Sequence, residues 1–286
     1  MKLSSGRLIL LACITLLSFT VGAVSHRMGL LRSLSSLLAT RPQAQLPLAS
    51  RPILRDPFVL IAAGQSNAAN HGTPRARSGQ GAYALAADGL YPLMDPLPGA
   101  SGHGGSIWSR WSALRRARHP EQEVIVAAVA QGSSAVTDWI GAGAHSRRIR
   151  ELLPQLKNAG LRADAIVWHQ GETESWSDRA DGLAYLKSLQ QWIDSIRALG
   201  IKAPIFICLA SRDGRGLRNT TIRNAQASVW DERHNVYAGV DTDTLGDQYR
   251  SDGVHFNERG LSEFAKLLDL AIESRSSRKA AGLDVN

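Results

Sequence analysis

The sequence predicts an α/β fold in which helices cover both faces of a parallel sheet. Five apolar, strand-like runs are separated by segments with helical periodicity, and this alternation is typical of parallel sheets. The residues with candidate chemistry follow these runs, at the strand ends where such sheets bind ligands. The runs cover residues 57–63, 123–130, 163–168, 203–210 and 236–240.

Apolar residues recur at helical spacing between and after the runs. The last of these helices is predicted to begin after Asn257, a suitable N-cap. The segment 70–105 is rich in Gly and Ala, and we expect it to form a loop over the site. The predicted helices depend on Ile149, Leu152 and Leu156, on Leu186, Leu189, Ile193 and Ile196, and on Leu261, Phe264, Ala265, Leu268 and Ile272.

The first 55 residues are predicted to lie outside the catalytic domain. Residues 1–25 combine Lys2 and Arg7 with an apolar run, the pattern of a secretory signal peptide or of an uncleaved membrane anchor. Residues 26–55 are basic and contain prolines, as a linker does. We therefore expect an exported protein (periplasmic, secreted or membrane-anchored facing outward) with one domain over residues 56–286.

The formal net charge of the chain is +8, but the predicted domain is nearly neutral. Residues 1–25 carry two basic residues, residues 26–55 carry five, and neither stretch has an acid, which leaves +1 for residues 56–286. A nucleic-acid groove needs positive charge concentrated on the folded domain. We therefore expect no nucleic-acid partner, and the sequence leaves the oligomeric state open.

Ser66 is the first candidate for catalysis because it follows the first apolar run directly, in the segment 64–67. Near the other end of the chain, Asp252 and His255 supply the carboxylate and the imidazole that make a serine hydroxyl nucleophilic. Taken alone, Ser66 also fits a turn or a helix cap. Ala68 replaces the last glycine of the Gly-x-Ser-x-Gly elbow, which argues against an α/β-hydrolase fold.

Two further segments fall where an oxyanion needs hydrogen-bond donors. Gly132 follows the second run, and its backbone N–H can closely approach a substrate oxygen. Gln170 follows the third run, and its amide offers a side-chain donor. Both residues also fit ordinary turns, and Ser133 or Ser134 is a rival nucleophile because each follows a strand and a glycine.

In this order, the segments 64–67, 131–133, 169–172 and 252–255 resemble the sequence blocks of the SGNH (GDSL-type) hydrolases. The resemblance is greatest to the sialate O-acetylesterase-like carbohydrate esterases, which have Gly-Gln-Ser-Asn in the first block and Gln-Gly-Glu in the third. It implies a three-layer α/β/α sandwich with a five-stranded parallel sheet, of the flavodoxin-like kind. It also implies hydrolysis of acetyl esters on carbohydrate without a metal or another cofactor.

The resemblance assigns a catalytic role to each member of the serine, histidine and acid set. Ser66 would be the nucleophile, His255 the base and Asp252 the acid that orients the base. Glu172, in the third block, is an alternative acid because acid assignment varies in such sites.

The resemblance also suggests what surrounds the reacting carbonyl. The N–H groups of Ser66 and Gly132 would bind the oxyanion together with the Gln170 amide, since the asparagine that the wider superfamily uses is absent here. The side chains expected to contact the substrate are Gln65, Asn67 and Trp139, although a tryptophan is also a common core residue.

Two other functions are compatible with the same residues. An O-acetyltransferase acting on an envelope polysaccharide would use the same serine and pass the acetyl group to a sugar hydroxyl instead of water. A catalytically silent sugar-binding protein would keep the pocket without turnover. The sequence does not identify the sugar or the position of its ester.

Overall fold

The computed structural model describes residues 48, 54, 56–177 and 180–280. The predicted leader and most of the predicted linker therefore lie outside the described residues. Leu48 and Leu54 pack against the hydrophobic core. None of the helices in these ranges is long and apolar enough to cross a membrane.

The described residues form seven strands and six α-helices. The strands are β1 (Phe58–Gly64), β2 (Ala82–Ala86), β3 (Gly89–Pro92), β4 (Val124–Ala128), β5 (Ala165–His169), β6 (Ile205–Leu209) and β7 (Val236–Asp241). The α-helices are α1 (Ile107–Arg118), α2 (Arg148–Asn158), α3 (Glu172–Ser175), α4 (Gly182–Ala198), α5 (Thr220–Ala227) and α6 (Glu258–Ala280).

The strands form one sheet in the order β3-β2-β4-β1-β5-β6-β7. All neighbouring strands are parallel except β2 and β3. The central strand β1 has β4 on one side and β5 on the other, with Ala62 beside Ala128 and Gly64 beside His169. The carboxyl ends of these three strands therefore meet at the point where the strand order reverses, which is the usual ligand position in such sheets.

The hydrophobic core lies in two clusters, one on each face of the sheet. Alternate residues of β1 point to opposite faces because side chains alternate along a strand. Phe58, Leu60 and Ala62 join the cluster that contains α1 and α6, and the intervening residues join the cluster that contains α2, α4 and α5. The predicted three-layer α/β/α architecture is confirmed.

The sheet has seven strands, so the prediction of five was wrong. The five predicted runs form β1, β4, β5, β6 and β7, and the two additional strands come from the segment 70–105, predicted to be a loop. Its small side chains give little intrinsic strand preference. Part of the segment becomes strand because β2 pairs with β4. β2 and β3 form an antiparallel hairpin, and the dipeptide Asp88–Gly89 at its turn is the local sequence signal for it.

The predicted start of the last helix is confirmed. The Asn257 side-chain oxygen accepts a hydrogen bond from the Gly260 N–H at 3.1 Å, which caps the first turn of α6. This cap lies only two residues after His255. The end of the Asp252–His255 loop is thus tied to a long packed helix.

Candidate active site

Ser66 lies just beyond the carboxyl end of β1, as the first residue of the 3₁₀ helix Ser66–Ala68. Gly64 allows the strand to leave the sheet here, because its φ is +132° and a Cβ atom would lie 2.0 Å from the carbonyl oxygen of His169. The Gln65 N–H donates to the same carbonyl at 2.9 Å. The close approach of β1 and β5 therefore fixes the position of the serine.

The Ser66 hydroxyl is nearly enclosed but remains accessible. The residue is 5% exposed, and its hydroxyl makes no hydrogen bond to another described residue. The hydroxyl oxygen is not fully buried, so it still reaches solvent. A serine hydroxyl without an internal partner can donate a hydrogen bond to a base while its oxygen faces a substrate.

His255 and Asp252 form a close pair in the loop that precedes α6. The His255 Nδ1 atom lies 2.7 Å from Asp252 Oδ2, and Asp252 Oδ1 accepts the backbone N–H groups of Val254 and His255 at 3.0 and 2.7 Å. Burial alone would raise the pKa of Asp252, but the hydrogen bonds from His255 and Val254 hold that pKa below its usual range. The carboxylate therefore stays ionised beside the imidazole.

Asn67 joins the serine segment to the histidine segment. Its side-chain Nδ2 donates to the Val254 carbonyl oxygen at 3.2 Å and to Glu172 Oε1 at 3.0 Å. The bond to Val254 connects the residue after Ser66 to the residue before His255. The two ends of the sequence motif are thus brought together by one buried amide.

Glu172 holds Asn67 and makes no contact with the His255 ring in the described structure. The residue is 2% exposed, its Oε1 accepts from Asn67, and the same atom lies 3.6 Å from His169 Nδ1. The carboxylate in contact with His255 is that of Asp252. The geometry therefore favours Asp252 as the orienting acid and gives Glu172 a positioning contact.

Gly132 lies in the loop after β4, and its backbone N–H donates to the Ser101 hydroxyl at 2.7 Å. The imidazole of His71 is also close, since a Cβ atom on Gly132 would lie 2.8 Å from His71 Nε2. A neighbouring candidate nucleophile, Ser134, is buried and donates to the Gln131 carbonyl at 2.9 Å. The backbone N–H that the sequence predicts as an oxyanion donor thus donates to a hydroxyl group of the protein.

Gln170 lies beneath the site, fully buried at 0% exposure. Its amide nitrogen is 2.5 Å from Glu174 Oε2, 3.1 Å from the Ser134 carbonyl oxygen and 3.3 Å from Gln65 Oε1. Its two N–H hydrogens therefore face acceptors of the protein. This arrangement does not present the Gln170 amide to a substrate, in contrast to the donor role expected from the sequence.

A family comparison assigns the chain to a group of enzymes. Residues 104–273, more than half of the chain, match the family described as carbohydrate esterase, sialic acid-specific acetylesterase. The chain belongs to this family. The protein is therefore a carboxylic ester hydrolase of the carbohydrate-esterase kind. The matched region contains Gly132, Asp252 and His255 and begins after Ser66.

Solved structures show the same fold. A protein of Arabidopsis thaliana has a TM-score of 0.65 with 19% identity, over 77% of this chain and 99% of its own. NanS has a TM-score of 0.56 with 13% identity, over 79% of this chain and 100% of its own. A carbohydrate acetylesterase from Xanthomonas citri has a TM-score of 0.51 with 15% identity, over 75% and 55% of the two chains. A comparison with curated proteins gives no match.

Three side chains of this carbohydrate esterase that were expected to contact substrate are directed into the protein. Gln65, Asn67 and Trp139 are all buried. Gln65 Oε1 accepts the N–H of Thr173 at 3.1 Å, and the Trp139 indole donates to Ser134 Oγ at 3.0 Å. These side chains hold the loops beneath the site, so the core interpretation applies to Trp139.

The sequence reasoning missed His71, which lies against the esterase's histidine. The rings of His71 and His255 are stacked with centroids 5.3 Å apart, and His71 Nε2 lies 3.1 Å from Ser101 Oγ. Burial, followed by the charges of His255 and His103, lowers the pKa of His71 from 6.5 to about 4. His71 is therefore neutral near pH 7, and its ring can pack on His255 without charge repulsion.

No local motif marks His71 or Ser101 in the sequence. They stand near the two ends of the segment 70–105, and the backbone bond from the Asn70 N–H to the Ser101 carbonyl at 2.9 Å brings these ends together. The one available signal was the expectation that this segment covers the site. Its ends do reach the site, although its middle forms β2 and β3.

Proposed function

We propose that this carbohydrate esterase removes O-acetyl groups from sugars or polysaccharides through an acetyl-enzyme on Ser66. The observation that carries the proposal is the 2.7 Å contact between His255 Nδ1 and Asp252, in a loop that Asn67 ties to the Ser66 segment. The Nδ1 contact leaves Nε2 of the same ring for the serine. This is the arrangement of groups that serine esterases need.

In the first step, His255 Nε2 takes the proton of Ser66 as the hydroxyl oxygen attacks the acetyl carbonyl carbon. Asp252 stabilises the imidazolium that forms, because its carboxylate remains ionised beside Nδ1. The tetrahedral intermediate collapses when His255 returns the proton to the sugar oxygen. The sugar leaves with a free hydroxyl and the acetyl group stays on Ser66.

Two backbone donors are assigned to the oxyanion. Ser66 begins a 3₁₀ helix, so its N–H lacks a partner within that helix, and Gly132 contributes the second N–H. Because Gly132 now donates to Ser101, the substrate oxygen would replace that hydroxyl. We assign Gln170 to holding the loop after β5, since its amide hydrogens already face Ser134, Glu174 and Gln65.

In the second step, water replaces the sugar. His255 takes a proton from the water as its oxygen attacks the acetyl-enzyme, and returns that proton to Ser66 as acetic acid leaves and ionises to acetate in solution. No other group of the site needs to change its ionisation. The same acetyl-enzyme could pass its acetyl group to a sugar hydroxyl, so the acceptor must be measured.

The nucleophile is tested with Ser66→Ala, assayed on p-nitrophenyl acetate and on acetylated xylan and acetylated sialic acid. We expect kcat/KM to fall by at least about a thousandfold, because the covalent step is lost while binding and the oxyanion donors remain. Ser133→Ala is the matched control, since Ser133 is the exposed serine after the neighbouring strand. Turnover that survives Ser66→Ala but not Ser133→Ala would show that the nucleophile is misassigned.

Hydrolysis and transfer are separated by measuring acetate. The full chain is incubated with the acetylated carbohydrates in the absence and in the presence of a non-acetylated acceptor sugar. Stoichiometric acetate release without the acceptor supports the esterase. If the acetyl group is transferred only when the acceptor sugar is present, and no acetate is released without the acceptor, the protein is a transferase and not an esterase.

We also propose that the enzyme acts outside the cytoplasm. The support is the sequence of residues 1–25, with a basic start and an apolar run. Fractionation of the producing cell should place acetylesterase activity in the periplasm, the medium or the membrane fraction. The mass of the recovered chain distinguishes a cleaved leader from an anchor, and activity confined to the cytosol would contradict export.

A further inference from the structure

Trp176 is the most exposed of the described tryptophan side chains. It stands directly after α3, whose first residue Glu172 holds Asn67, and it is 55% exposed. Five of the other described tryptophans are buried and Trp230 is partly buried. A single exposed apolar side chain needs no explanation by itself, so the surroundings of Trp176 decide its meaning.

Trp176 borders the loop that carries the catalytic pair. A Cβ atom built on Gly214 would lie 2.5 Å from Trp176 Cη2 and 3.4 Å from Val254 Cγ2. The indole and the Val254 side chain therefore both lie close to Gly214, and Val254 precedes His255. Glycine at position 214 accommodates this approach, because a Cβ atom there would lie too close to the ring in its present position.

The contact with Gly214 leaves much of the indole in water. The nearest indole atoms to Gly214 are Cη2 and Cζ2, at the edge of the six-membered ring. An indole held at one edge presents flat apolar surface, and such surface binds partners that carry both an apolar face and polar groups. A sugar ring has this character, since its C–H groups form a face and its hydroxyl groups lie around the rim.

We infer that the exposed indole of Trp176 is the surface on which the sugar ring of the substrate stacks while its acetyl group reaches Ser66. The inference rests on the proposed function, because it assumes that the ester is carried by a sugar. It gives the substrate-contact role expected of the buried Trp139 to a different tryptophan. Trp176 would then bind substrate and transition state about equally, so it should act mainly on KM.

The test compares a sugar ester with an ester that has no ring. Glucose pentaacetate and ethyl acetate serve as probes, and acetate release is followed for the wild type, Trp176→Ala and Trp176→Phe. p-Nitrophenyl acetate is avoided here, since its aromatic ring could itself stack on Trp176. Leu270→Ala is the control, because Leu270 is an exposed apolar residue in the outer helix α6.

We expect Trp176→Ala to lower kcat/KM for glucose pentaacetate by about tenfold, equivalent to about 1.4 kcal/mol, mainly through KM. Ethyl acetate turnover should be unchanged, Trp176→Phe should retain part of the sugar preference, and Leu270→Ala should resemble the wild type. Equal losses of kcat/KM on both esters for Trp176→Ala would overturn the inference. An unchanged kcat/KM for glucose pentaacetate would also overturn it, as would a wild-type enzyme that hydrolyses both esters equally well.

Failure of the inference is distinguishable from failure of the proposed function. If Ser66→Ala retains turnover of both esters, the proposed mechanism fails whatever Trp176 does. If Ser66→Ala is inactive on both esters and Trp176→Ala is indistinguishable from the wild type on both, the mechanism stands and the stacking surface is rejected.

Discussion

At the residue scale, two carboxylates near the serine make different contacts. Asp252 contacts the His255 ring, whereas Glu172 accepts a hydrogen bond from Asn67. We predict that Asp252→Asn lowers kcat on p-nitrophenyl acetate by about 10²- to 10⁴-fold, because it removes the charge that stabilises the imidazolium. Glu172→Gln keeps an oxygen that can accept from Asn67 and should cost less than about tenfold.

The reverse order of effects would identify Glu172 as the acid. The two variants form a matched pair because each replaces a carboxylate by its amide without a change of size. Steady-state kinetics at saturating substrate give kcat, and urea titrations show whether either variant is also destabilised. A loss of activity that tracks a loss of folded protein would not count for either residue.

The low pKa of His71 predicts how the free energy of unfolding changes with pH. Its pKa is 6.5 ordinarily and about 4 in the folded protein, so between these values the unfolded chain binds a proton that the folded chain does not. The free energy of unfolding should therefore fall as the pH is lowered from 6.5 to 4, by at most about 1.4 kcal/mol per pH unit from this group. His71→Phe keeps an aromatic ring against His255 and should make that fall shallower.

Two other histidines contribute with the same sign. Burial lowers the pKa of His169 and of His145, so some pH dependence should persist in His71→Phe. Urea titrations at several pH values between 4 and 7 measure the slope for each protein. Identical slopes for the wild type and His71→Phe would show that the His71 ring is not kept neutral by its surroundings.

At the element scale, the junction of β1 and β5 depends on Gly64. Gly64→Ala would combine an unfavourable φ with a Cβ atom 2.0 Å from the His169 carbonyl oxygen. We predict that it lowers the free energy of unfolding by at least about 2 kcal/mol, and activity with it, because the strand ends must separate. Denaturant titration measures the loss.

Gly160 provides a control that has a positive φ without a close contact. Its φ is +63°, but a Cβ atom at this position would meet no described atom within 4 Å beyond its chain neighbours. Gly160→Ala should therefore lower the free energy of unfolding by only about 1 kcal/mol. The difference between the two variants combines the close contact of β1 with β5 and the greater backbone strain at a φ of +132°. Equal losses would mean that the strand ends separate easily.

The elements that the sequence predicted are those with strong local patterns. The five apolar runs became strands, and the cap at Asn257 began α6 where expected. β2 was missed because an Ala-rich stretch carries almost no strand signal, and its identity comes from pairing with β4 across the sheet. A single sequence does not show that pairing, since its partners are about forty residues apart.

At the scale of the whole molecule, the motif segments were predicted, and the direction of each side chain was not. The loop with Asp252 and His255 is joined to the Ser66 segment through Asn67, at the carboxyl end of β1. The same motif also contains Gln170, whose amide faces inward because Ser134, Glu174 and Gln65 supply acceptors below it. Burial of this kind depends on loops from three strands and has no local sequence signal.

The tryptophans also show that the direction of a side chain has no local sequence signal. Trp139 follows the second motif block closely and lies in the core against Trp168, with ring centroids 5.6 Å apart. Trp176 follows the third motif block by four residues, is exposed, and lies close to Gly214, far along the chain. Both rings closely follow a motif block, so distance along the sequence did not distinguish the buried ring from the exposed one.

The unequal burial of the tryptophans has an optical consequence. Iodide quenches only the fluorescence of indoles that it can touch, and among the described residues these are Trp176 and in part Trp230. The remaining emission comes from rings inside the core, including Trp168 and Trp192, whose centroids are 4.2 Å apart. If the sugar stacks on Trp176 as proposed, it would shield the indole from iodide, and quenching of Ser66→Ala, which should bind without turnover, would report occupancy.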